Sequence, residues 1–463
     1  MAIKQVQVEV ANLAIGMYVS RLDRPWSQTP FPLQGFHVRS TEDVVTLQAY
    51  CDYVYVDTEK GRSPVEVGSV GISGSGRRRG GSGLSVGRAV AGRTSEAFST
   101  SPLAVRKGVY TATVALRDEM ERAQAVVSHL KGHLTLVTKQ IAKGKLADYD
   151  KLRHSVDDMV GSVLRCPDAF TWLIRLREKD VRTHDHSLRS ALWAVQFARF
   201  IGMEKQEISV LCMGTLLKDI GKLNIPNGLL RKQNRSEEEE LEYQSFVSTG
   251  VTMLRDTRAV EPRVISVVRY HCERLNGTGF PEHLSGNKIP LLARIAGLAT
   301  VFDTISNPEE AGVPVTPSKS VSTLYGMRGI DFQEDLVVQF IQSIGLYPTG
   351  TLVELTTGNI GVVVEQHPDS RLTPQVAVLD QTGGDLNKNF YLVNLKDQEE
   401  ARRVMLEQGC SSIQSVERLS IARDLEPTGY DVDLGTISSV FMAAEIEKKK
   451  KGLLASLSDH FRK

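Results

Sequence analysis

The sequence has few cysteines, no long apolar run and no excess of either charge. Its 463 residues include 5 cysteines, which are scattered and form no Cys-x-x-Cys pair. This pattern excludes a disulfide scaffold and argues against a structural zinc site. No segment approaches the roughly 18 apolar residues of a membrane span, and the first residues lack the apolar core of a secretory signal. We therefore expect a cytoplasmic protein with reduced thiols and no membrane span.

The charges are nearly balanced, because 56 Lys and Arg residues stand against 55 Asp and Glu residues, a net charge of +1. Such a chain has no overall electrostatic attraction to nucleic acid or to acidic membranes. We expect no specific nucleic-acid binding. The length alone predicts about two to four domains.

The first sixty residues predict a small α+β module. Residues 40–51 have the pattern of a helix, and Tyr53–Asp57 that of a strand. An earlier strand is indicated by alternating valines at Val6, Val8 and Val10. We place this module at residues 1–60.

Residues 61–104 are rich in Gly, Ser and Arg. Such a composition buries too little apolar surface to offset the loss of chain entropy, so it predicts a flexible linker. Its arginines could contact RNA or anionic lipid, but a solvated basic linker is the favoured interpretation.

Residues 105–345 predict a helical domain with its core at 160–345. Two stripes with three-four spacing face inward. The first stripe consists of Ile208, Leu211, Thr215, Asp219 and Lys222. The second consists of Val264, Val267, Val268 and His271. A buried carboxylate or imidazole on an apolar stripe needs a partner. Asp219 and His271 therefore indicate either satisfied core hydrogen bonds or a metal or ligand site.

Residues 346–425 predict a small β module, with strands near 352–355, 361–364 and 376–379 and a turn at Thr357–Asn359. The tail, 426–463, ends in a lysine run followed by an amphipathic segment. Three interpretations of that segment stay open: a helix that docks a partner, a helix that lies on a membrane surface, and a frayed terminus.

Several short motifs in the centre follow one another in a fixed order. They are His186-Ser187, Leu216-Leu217-Lys218-Asp219-Ile220-Gly221-Lys222, Ile225-Pro226, Glu273 to Pro281, Ile289 to Ile295, and Phe302-Asp303. In this order they resemble the HD-GYP domains, a branch of the HD phosphohydrolases. The resemblance implies hydrolysis of cyclic di-GMP at a site with two or three metal ions.

The flanking regions resemble the segments that accompany such domains. Gly16-Met17-Tyr18-Val19 and the residues around Trp26 are similar to the uncharacterised domain often fused ahead of HD-GYP. The stretch Ile344–Gly350 and the strands after it resemble the extension that often follows.

The metal-binding motifs depart from the family pattern at four positions. The ligands of the family are replaced by Lys218, Phe246, Cys272 and Thr300. Family ligands remain as His186, Asp219 and His271, while Asp303 keeps only the second half of an Asp-x-x-Asp pattern.

This replacement bears on the chemistry of the site. A two-metal centre needs several N and O donors around both ions. The ammonium of Lys218 repels a divalent ion, and it would form a salt bridge with Asp219 instead. With Cys272, one thiolate and two imidazoles suit a single zinc-type site better than a bridged iron or manganese pair. We predict that Asp219 and Lys222 are vestigial and expect no cofactor.

Ligand recognition is altered as well. The acidic stretch Glu309–Gly312 aligns with a basic, phosphate-contacting segment of the family. Lys222, Arg274 and Arg294 are candidate phosphate contacts, although surface salt bridges are the commoner role for such side chains. A metal pair of His184 and His186 is disfavoured because residues at i and i+2 face different sides of a helix.

The three-residue turn Gly279, Phe280 and Pro281 stands where the family carries Gly-Tyr-Pro. In the family this loop is linked to nucleotide binding and to GGDEF partner domains. Two interpretations stay equal: an exposed ring that anchors a partner, and a structural turn.

We predict a multidomain chain with an all-α HD-type domain at the centre, a small α+β module before it and a small β-rich module after it. We hypothesise a degenerate HD-GYP protein in bacterial cyclic di-GMP signalling. It would bind cyclic di-GMP, or a GGDEF-type or other signalling protein, without hydrolysis. The alternative is an active phosphodiesterase with an altered site and two or three Fe or Mn ions. A minor third hypothesis is that the chain tethers to RNA or membranes. The resemblance to HD-GYP proteins also implies that the chain could form a homodimer.

Overall fold

The computed structural model describes residues 5–24, 35–38, 41–58, 100–145, 148–175, 182–308, 315–367, 370–379, 389–426, 430 and 432–441. The chain forms two compact units, Met1–Phe98 and Ser99–Lys463. The predicted linker up to residue 99 and the basic segment of the tail, residues 442–463, lie outside the described residues.

The N-terminal unit is a four-stranded antiparallel sheet with the strand order β1-β4-β2-β3 and one helix. Its elements are β1 (Gln5–Glu9), β2 (Tyr18–Leu22), β3 (Phe36–His37), α1 (Thr41–Tyr50) and β4 (Tyr53–Asp57). On β4, Val54 and Val56 are buried while Tyr53 and Tyr55 are half-buried, which is the alternation of a strand with one apolar face. The predictions of a helix near 40–51 and a strand at Tyr53–Asp57 are confirmed.

The prediction that Val10 belongs to the first strand is wrong. Strand β1 ends at Glu9, and Val10 begins a short 3-10 helix, Val10–Asn12. The N–H of Val10 donates to the carbonyl of Asp52 at 3.1 Å, outside the ladder that joins β1 to β4.

The centre of the second unit is helical, as predicted. The helices are α2 (Leu116–Ile141), α3 (Tyr149–Arg165), α4 (Pro167–Arg175), α5 (Arg182–Phe200), α6 (Lys205–Leu217), α7 (Asn227–Leu230), α8 (Glu237–Gln244), α9 (Phe246–Asp256), α10 (Pro262–Tyr270), α11 (Leu291–Ser306), α12 (Pro317–Gly326) and α13 (Glu334–Ile344). Among the helices in the described part of the chain, none has the length and apolar character needed to cross a bilayer.

Helix α5 lies in the middle of this domain, and its residues 191–198 are all buried. It packs against α6, α11 and α13. The ring of Phe302 on α11 meets the rings of Trp193 and Phe340 edge to face, with centroids 5.4 Å apart in both pairs. This aromatic core fixes α5 against α11, the two helices that carry His186 and Asp303.

The last residues of the predicted linker contact the helical domain. The N–H of Ser101 donates to Asn287 Oδ1 at 2.9 Å, and the N–H of Leu103 donates to Asp335 Oδ2 at 2.7 Å. The chain is therefore attached to the second unit from residue 101 onward.

A β module follows the helices, as predicted, and its strands form a five-stranded antiparallel sheet with the order β8-β7-β6-β5-β9. Its elements are β5 (Leu352–Leu355), β6 (Ile360–Glu365), β7 (Gln375–Leu379), β8 (Phe390–Asn394), α14 (Gln398–Glu407) and β9 (Ile421–Asp424). The predicted turn at Thr357–Asn359 joins β5 to β6, with Gly358 at φ +83°. Because Trp172 Nε1 of α4 donates to the carbonyl of Val364 at 3.0 Å, the sheet is attached directly to the helical domain.

A buried carboxylate joins α2 to α3. Glu119 is 1% exposed and accepts hydrogen bonds from Arg165 Nη2 and Ser162 Oγ, both at 2.6 Å. Burial would raise the pKa of Glu119, but Arg165 and Ser162 hold it below its usual value. The carboxylate is therefore ionised and fully engaged.

We predict that Glu119→Ala lowers the free energy of unfolding by about 2–3 kcal/mol, because the bonds of a charged acceptor are lost. Chemical denaturation of the full chain measures the change. Glu121→Ala, at an exposed position of the same helix, is the matched control and should stay within about 0.5 kcal/mol of the wild type. Equal losses in the two variants would contradict this role for Glu119.

Candidate functional site

The candidate site begins where α6 ends. The inward stripe predicted that Asp219 and Lys222 continue this helix, and that prediction is wrong. Helix α6 ends at Leu217, and a 3-10 helix, Ile220–Asn224, follows Asp219. The structure also corrects the position of His271, which lies just after the end of α10 rather than within it.

The chain turns after Leu217 because it packs directly against α9. A Cβ atom at Gly221 would lie 1.9 Å from the carbonyl oxygen of Phe246 and 2.6 Å from the backbone nitrogen of Gly250. Only glycine fits so close an approach. The turn places Asp219 and Lys222 beside the start of α9.

The carboxylate of Asp219 is held by two lysines. Lys222 Nζ lies 2.8 Å from Oδ1, and Lys218 Nζ donates to Oδ2. The Lys218 side chain is 0% exposed and that of Asp219 is 11% exposed. Each oxygen of the Asp219 carboxylate is thus paired with an ammonium group. The predicted salt bridge between Lys218 and Asp219 is confirmed.

The carboxylate of Asp219 stabilises the ammonium groups of both lysines, although the two ammonium groups repel each other. Burial would raise the pKa of Asp219, but the ammonium groups of Lys218 and Lys222 hold it well below its usual range. Burial lowers the pKa of Lys218, and the neighbouring carboxylate opposes that shift. For Lys222 the carboxylate outweighs burial, and the pKa is raised. Asp219 therefore stays ionised and paired, and a divalent ion there would have to displace an ammonium group.

A second buried carboxylate orients His186. Asp303 is 0% exposed and lies on α11, with Oδ2 at 2.7 Å from His186 Nδ1 and Oδ1 at 2.7 Å from Arg189 Nε. Burial would raise the pKa of Asp303, but His186 and Arg189 lower it below its usual value. With Nδ1 engaged, His186 Nε2 faces Asp219 Oδ2 at 3.9 Å.

Sequence reasoning missed the role of Arg189. The available signal was its spacing, because a residue three positions after His186 lies on the same face of α5. In the sequence, Asp303 stands out only as half of an Asp-x-x-Asp pattern. Its bond to His186 could not be predicted, because it depends on how α5 packs against α11.

His271 and Cys272 form a neutral pair. His271 Nδ1 donates to the carbonyl of Val268 at 2.8 Å, and His271 Nε2 lies 3.2 Å from Cys272 Sγ. Burial lowers the pKa of His271 to about 3 and raises that of Cys272 to about 12. The thiol thus stays protonated and donates to the imidazole. This state does not suit the thiolate needed for a zinc-type site.

Phe246 is a core residue, 2% exposed. Its ring lies 5.5 Å from the ring of Tyr243 and 6.1 Å from the rings of both His271 and Phe280, measured between centroids. Lys222 Nζ lies 5.0 Å from the centroid of Phe246. The aromatic side chain at this position thus supports the lysine that pairs with Asp219.

The turn at Gly279, Phe280 and Pro281 packs closely against the preceding chain. A Cβ at Gly279 would lie 2.4 Å from the carbonyl oxygen of Cys272, so the loop folds back on the chain. Phe280 is half-buried and packs against Phe246, so one part of its ring has a structural role, and the partner-anchoring interpretation stays a prediction. The buried carboxylate of Glu273 accepts the N–H groups of Glu282 and Leu284 at 2.8 and 3.0 Å and fixes the return of the loop.

The remaining predicted residues have partners within the chain. Thr300 Oγ1 donates to the carbonyl of Ala296 at 2.7 Å, one turn before it on α11. Arg274 Nη1 donates to the carbonyl of Glu273 at 2.9 Å. Arg294 Nη1 donates to Gln333 Oε1. For both arginines the predicted surface salt bridge is replaced by hydrogen bonds to neutral oxygens.

The acidic stretch Glu309–Gly312 and the side chain of His184 lie outside the described residues. Within the described ranges, no group of three or more His, Cys, Asp or Glu side chains is placed to hold a metal ion.

We predict that Asp219→Asn lowers the free energy of unfolding by about 3–5 kcal/mol, because the buried ammonium group of Lys218 and the half-buried one of Lys222 lose their counter-charge. Thermal and chemical unfolding of the full chain measure the loss. Asp256→Asn, at an exposed position of α9, makes the same chemical change and should be nearly neutral. A neutral effect of Asp219→Asn would contradict the paired state.

We also predict a pH dependence that originates in His271. The unfolded chain protonates this side chain below about pH 6.5, whereas the folded protein keeps it neutral until about pH 3. Its contribution is complete above pH 6.5 and is lost as the pH falls. Between pH 8 and pH 5 it should reduce the free energy of unfolding by about 2 kcal/mol. Denaturation across this range measures the slope, and His271→Asn should flatten it. The same slope in both proteins would contradict a neutral, buried imidazole.

Comparison with known protein families identifies three consecutive matches. A model described as a domain of unknown function, DUF3391, matches residues 5–152. A model described as an HD domain matches residues 172–334, and one described as a KOW domain associated with HD domains matches residues 352–401.

Among curated proteins, a cyclic di-GMP phosphodiesterase of Pseudomonas aeruginosa is 28% identical over 375 residues, which is 80% of this chain and 84% of that protein. A 3′3′-cGAMP-specific phosphodiesterase of Vibrio cholerae is 29% identical, over 34% of this chain and 30% of that protein. The cyclic di-GMP phosphodiesterase response regulator RpfG of Xanthomonas campestris is 30% identical, over 28% of this chain and 35% of that protein.

Among solved structures, an HDG"Y"P protein from Bdellovibrio bacteriovorus aligns with a TM-score of 0.43 and 14% identity, over 73% of this chain and 98% of that one. The consecutive family matches agree with the order of a strand-rich module, a helical domain and a second sheet. The chain therefore contains an HD domain, with DUF3391 ahead of it and the KOW domain associated with HD domains behind it.

Proposed function

We propose that this chain is a non-hydrolysing HD-GYP protein that acts in cyclic di-GMP signalling as a regulatory or interaction module. One observation carries the proposal: each oxygen of the Asp219 carboxylate is engaged by a lysine ammonium group. In a two-metal hydrolase such a carboxylate binds the ions that generate and orient the attacking hydroxide.

The charge of the cluster supports the same conclusion. Lys218, Lys222 and Arg189 contribute three positive charges, and Asp219 and Asp303 contribute two negative ones, so these five side chains have a net charge of +1. A pair of divalent ions needs an excess of anionic donors to offset its own charge. The residues present do not fit such a pair.

The four side chains that replace family metal ligands all make contacts within the protein. Lys218 binds Asp219, and Cys272 lies against His271. Phe246 packs in an aromatic cluster, and Thr300 bonds within its own helix. Each replacement thus places a side chain with contacts inside the protein where the family carries a metal ligand.

The comparisons support the ligand class. A relative that aligns with most of this chain is named a cyclic di-GMP phosphodiesterase, and another is named for 3′3′-cGAMP. A cyclic dinucleotide is therefore the proposed ligand of the domain. A GGDEF-type or other signalling protein is the proposed partner, and binding would occur without turnover.

The second candidate function is a phosphodiesterase with an altered metal site. His186, Asp219 and His271 keep the residue types of metal ligands, and Asp303 orients His186 as carboxylates orient the imidazoles of metal sites. Under this alternative, a bound ion displaces Lys218 from Asp219, and hydrolysis depends on Asp219.

The test compares the wild type with a reverted variant. The full chain is purified anaerobically with iron(II), and separately with manganese, and incubated with cyclic di-GMP while chromatography follows the products. We predict no linear dinucleotide or GMP from the wild type or from Lys218→His alone. The combined variant Lys218→His, Phe246→His, Cys272→His and Thr300→Asp should retain metal and gain turnover.

Metal content, measured by mass spectrometry on the same samples, separates a variant that fails to bind metal from one that binds metal without turnover. Binding of cyclic di-GMP to the wild type, measured by calorimetry, tests the ligand class independently of turnover. Hydrolysis by the wild type that is lost in Asp219→Ala would overturn the proposal in favour of the phosphodiesterase.

A further inference from the structure

A small polar cavity lies between the helical domain and the C-terminal sheet, in a region that the proposed function does not use. Its volume is ≈ 20 Å³. The helical domain contributes Asp168 of α4 and Trp193 of α5 to its lining. The sheet contributes Gln366, which follows β6, and Arg371, which precedes β7.

Three polar atoms of this lining are buried without a hydrogen-bond partner in the described part of the chain. They are Trp193 Nε1, Gln366 Oε1 and Arg371 Nε. Trp193 and Gln366 are each only 5% exposed. An unpaired polar group at such depth costs roughly 1–3 kcal/mol, so the concentration of three around one cavity calls for a ligand.

The donor and acceptor character of these atoms is defined. The indole and guanidinium nitrogens carry hydrogen and can only donate. The amide of Gln366 is oriented by its own Nε2, which donates to the carbonyl of Tyr347, so its Oε1 is the acceptor that remains. Asp168 accepts from Thr349 Oγ1 at 3.2 Å and adds further acceptor capacity.

This mixture selects the ligand. Two donors and two acceptors match a water molecule, which accepts two hydrogen bonds and donates two. Arg199 adds a second guanidinium group to the lining. An anion would satisfy the donors and these charges, but it would leave the Gln366 oxygen and the Asp168 carboxyl group facing an acceptor that cannot donate to them. The volume also agrees, because a buried water needs about 10–15 Å³ by this measure.

We propose that the cavity is a built site for a single water molecule, which joins Trp193 and Asp168 of the helical domain to Gln366 and Arg371 of the sheet. The water accepts from the indole N–H and the guanidinium Nε–H, and it donates to the amide oxygen and the carboxyl group. It is thereby a bridging element in the contact between the HD domain and the sheet.

A crystal structure of the full chain, at a resolution that shows ordered waters, tests the site directly. We expect one peak in the cavity at hydrogen-bond distance from Trp193 Nε1, Arg371 Nε and Gln366 Oε1. A second crystal grown in bromide is measured at the bromine absorption edge. An anomalous peak in the cavity would overturn the proposal in favour of an anion, and direct bonds among the three atoms would overturn it in favour of a closed interface.

A double-mutant cycle tests the bridge in solution. Trp193→Phe removes the indole donor and keeps a ring, and Gln366→Met removes the amide oxygen. If one water joins the two side chains, the loss of stability in the double variant is smaller than the sum of the single losses. Trp193→Phe combined with Gln408→Met, at an exposed position, is the control and should be additive. Additivity in both cycles would overturn the proposal.

Discussion

The ion pair of Asp219 with Lys218 and Lys222 is the interaction on which the centre of the HD domain depends. A carboxylate and an ammonium at this depth are each unfavourable alone, and they are stable only together. The surrounding elements are arranged to keep them together. Helix α6 stops at Leu217 so that the chain can turn, and Gly221 brings the turn against α9. Removing the Asp219 carboxylate would leave both ammonium groups without their counter-charge.

The same arrangement accounts for the neighbouring side chains. Asp303 forms an ion pair with Arg189 and a hydrogen bond with His186, and His271 is neutral and bonded to a thiol. Both buried carboxylates of the cluster are therefore paired with cationic side chains, and neither needs an added cation. A site of this kind is suited to holding the helices in a fixed relation, and its slight positive charge is compatible with an anionic ligand such as a cyclic dinucleotide.

Much of the fold followed from the sequence, whereas the details of the site did not. Alternating apolar residues located the strand at Tyr53–Asp57, and apolar residues spaced three and four apart located the central helices. These spacings appear because one face of each element is buried. The salt bridge of Lys218 with Asp219 followed from charge and adjacency. The end of α6 did not, because it is set by contact with α9 and leaves no local signal. The packing of Phe280 against Phe246 joins residues far apart in the chain, so a sequence pattern could not distinguish it from an exposed ring.

The measurement that tests the account most directly is anomalous diffraction from crystals of the wild-type chain grown with manganese(II). The account predicts no manganese peak beside Asp219, with Lys218 and Lys222 still bound to its two oxygens. Two manganese peaks bridged by Asp219, with the Lys218 side chain displaced, would contradict it and would identify a working metal centre.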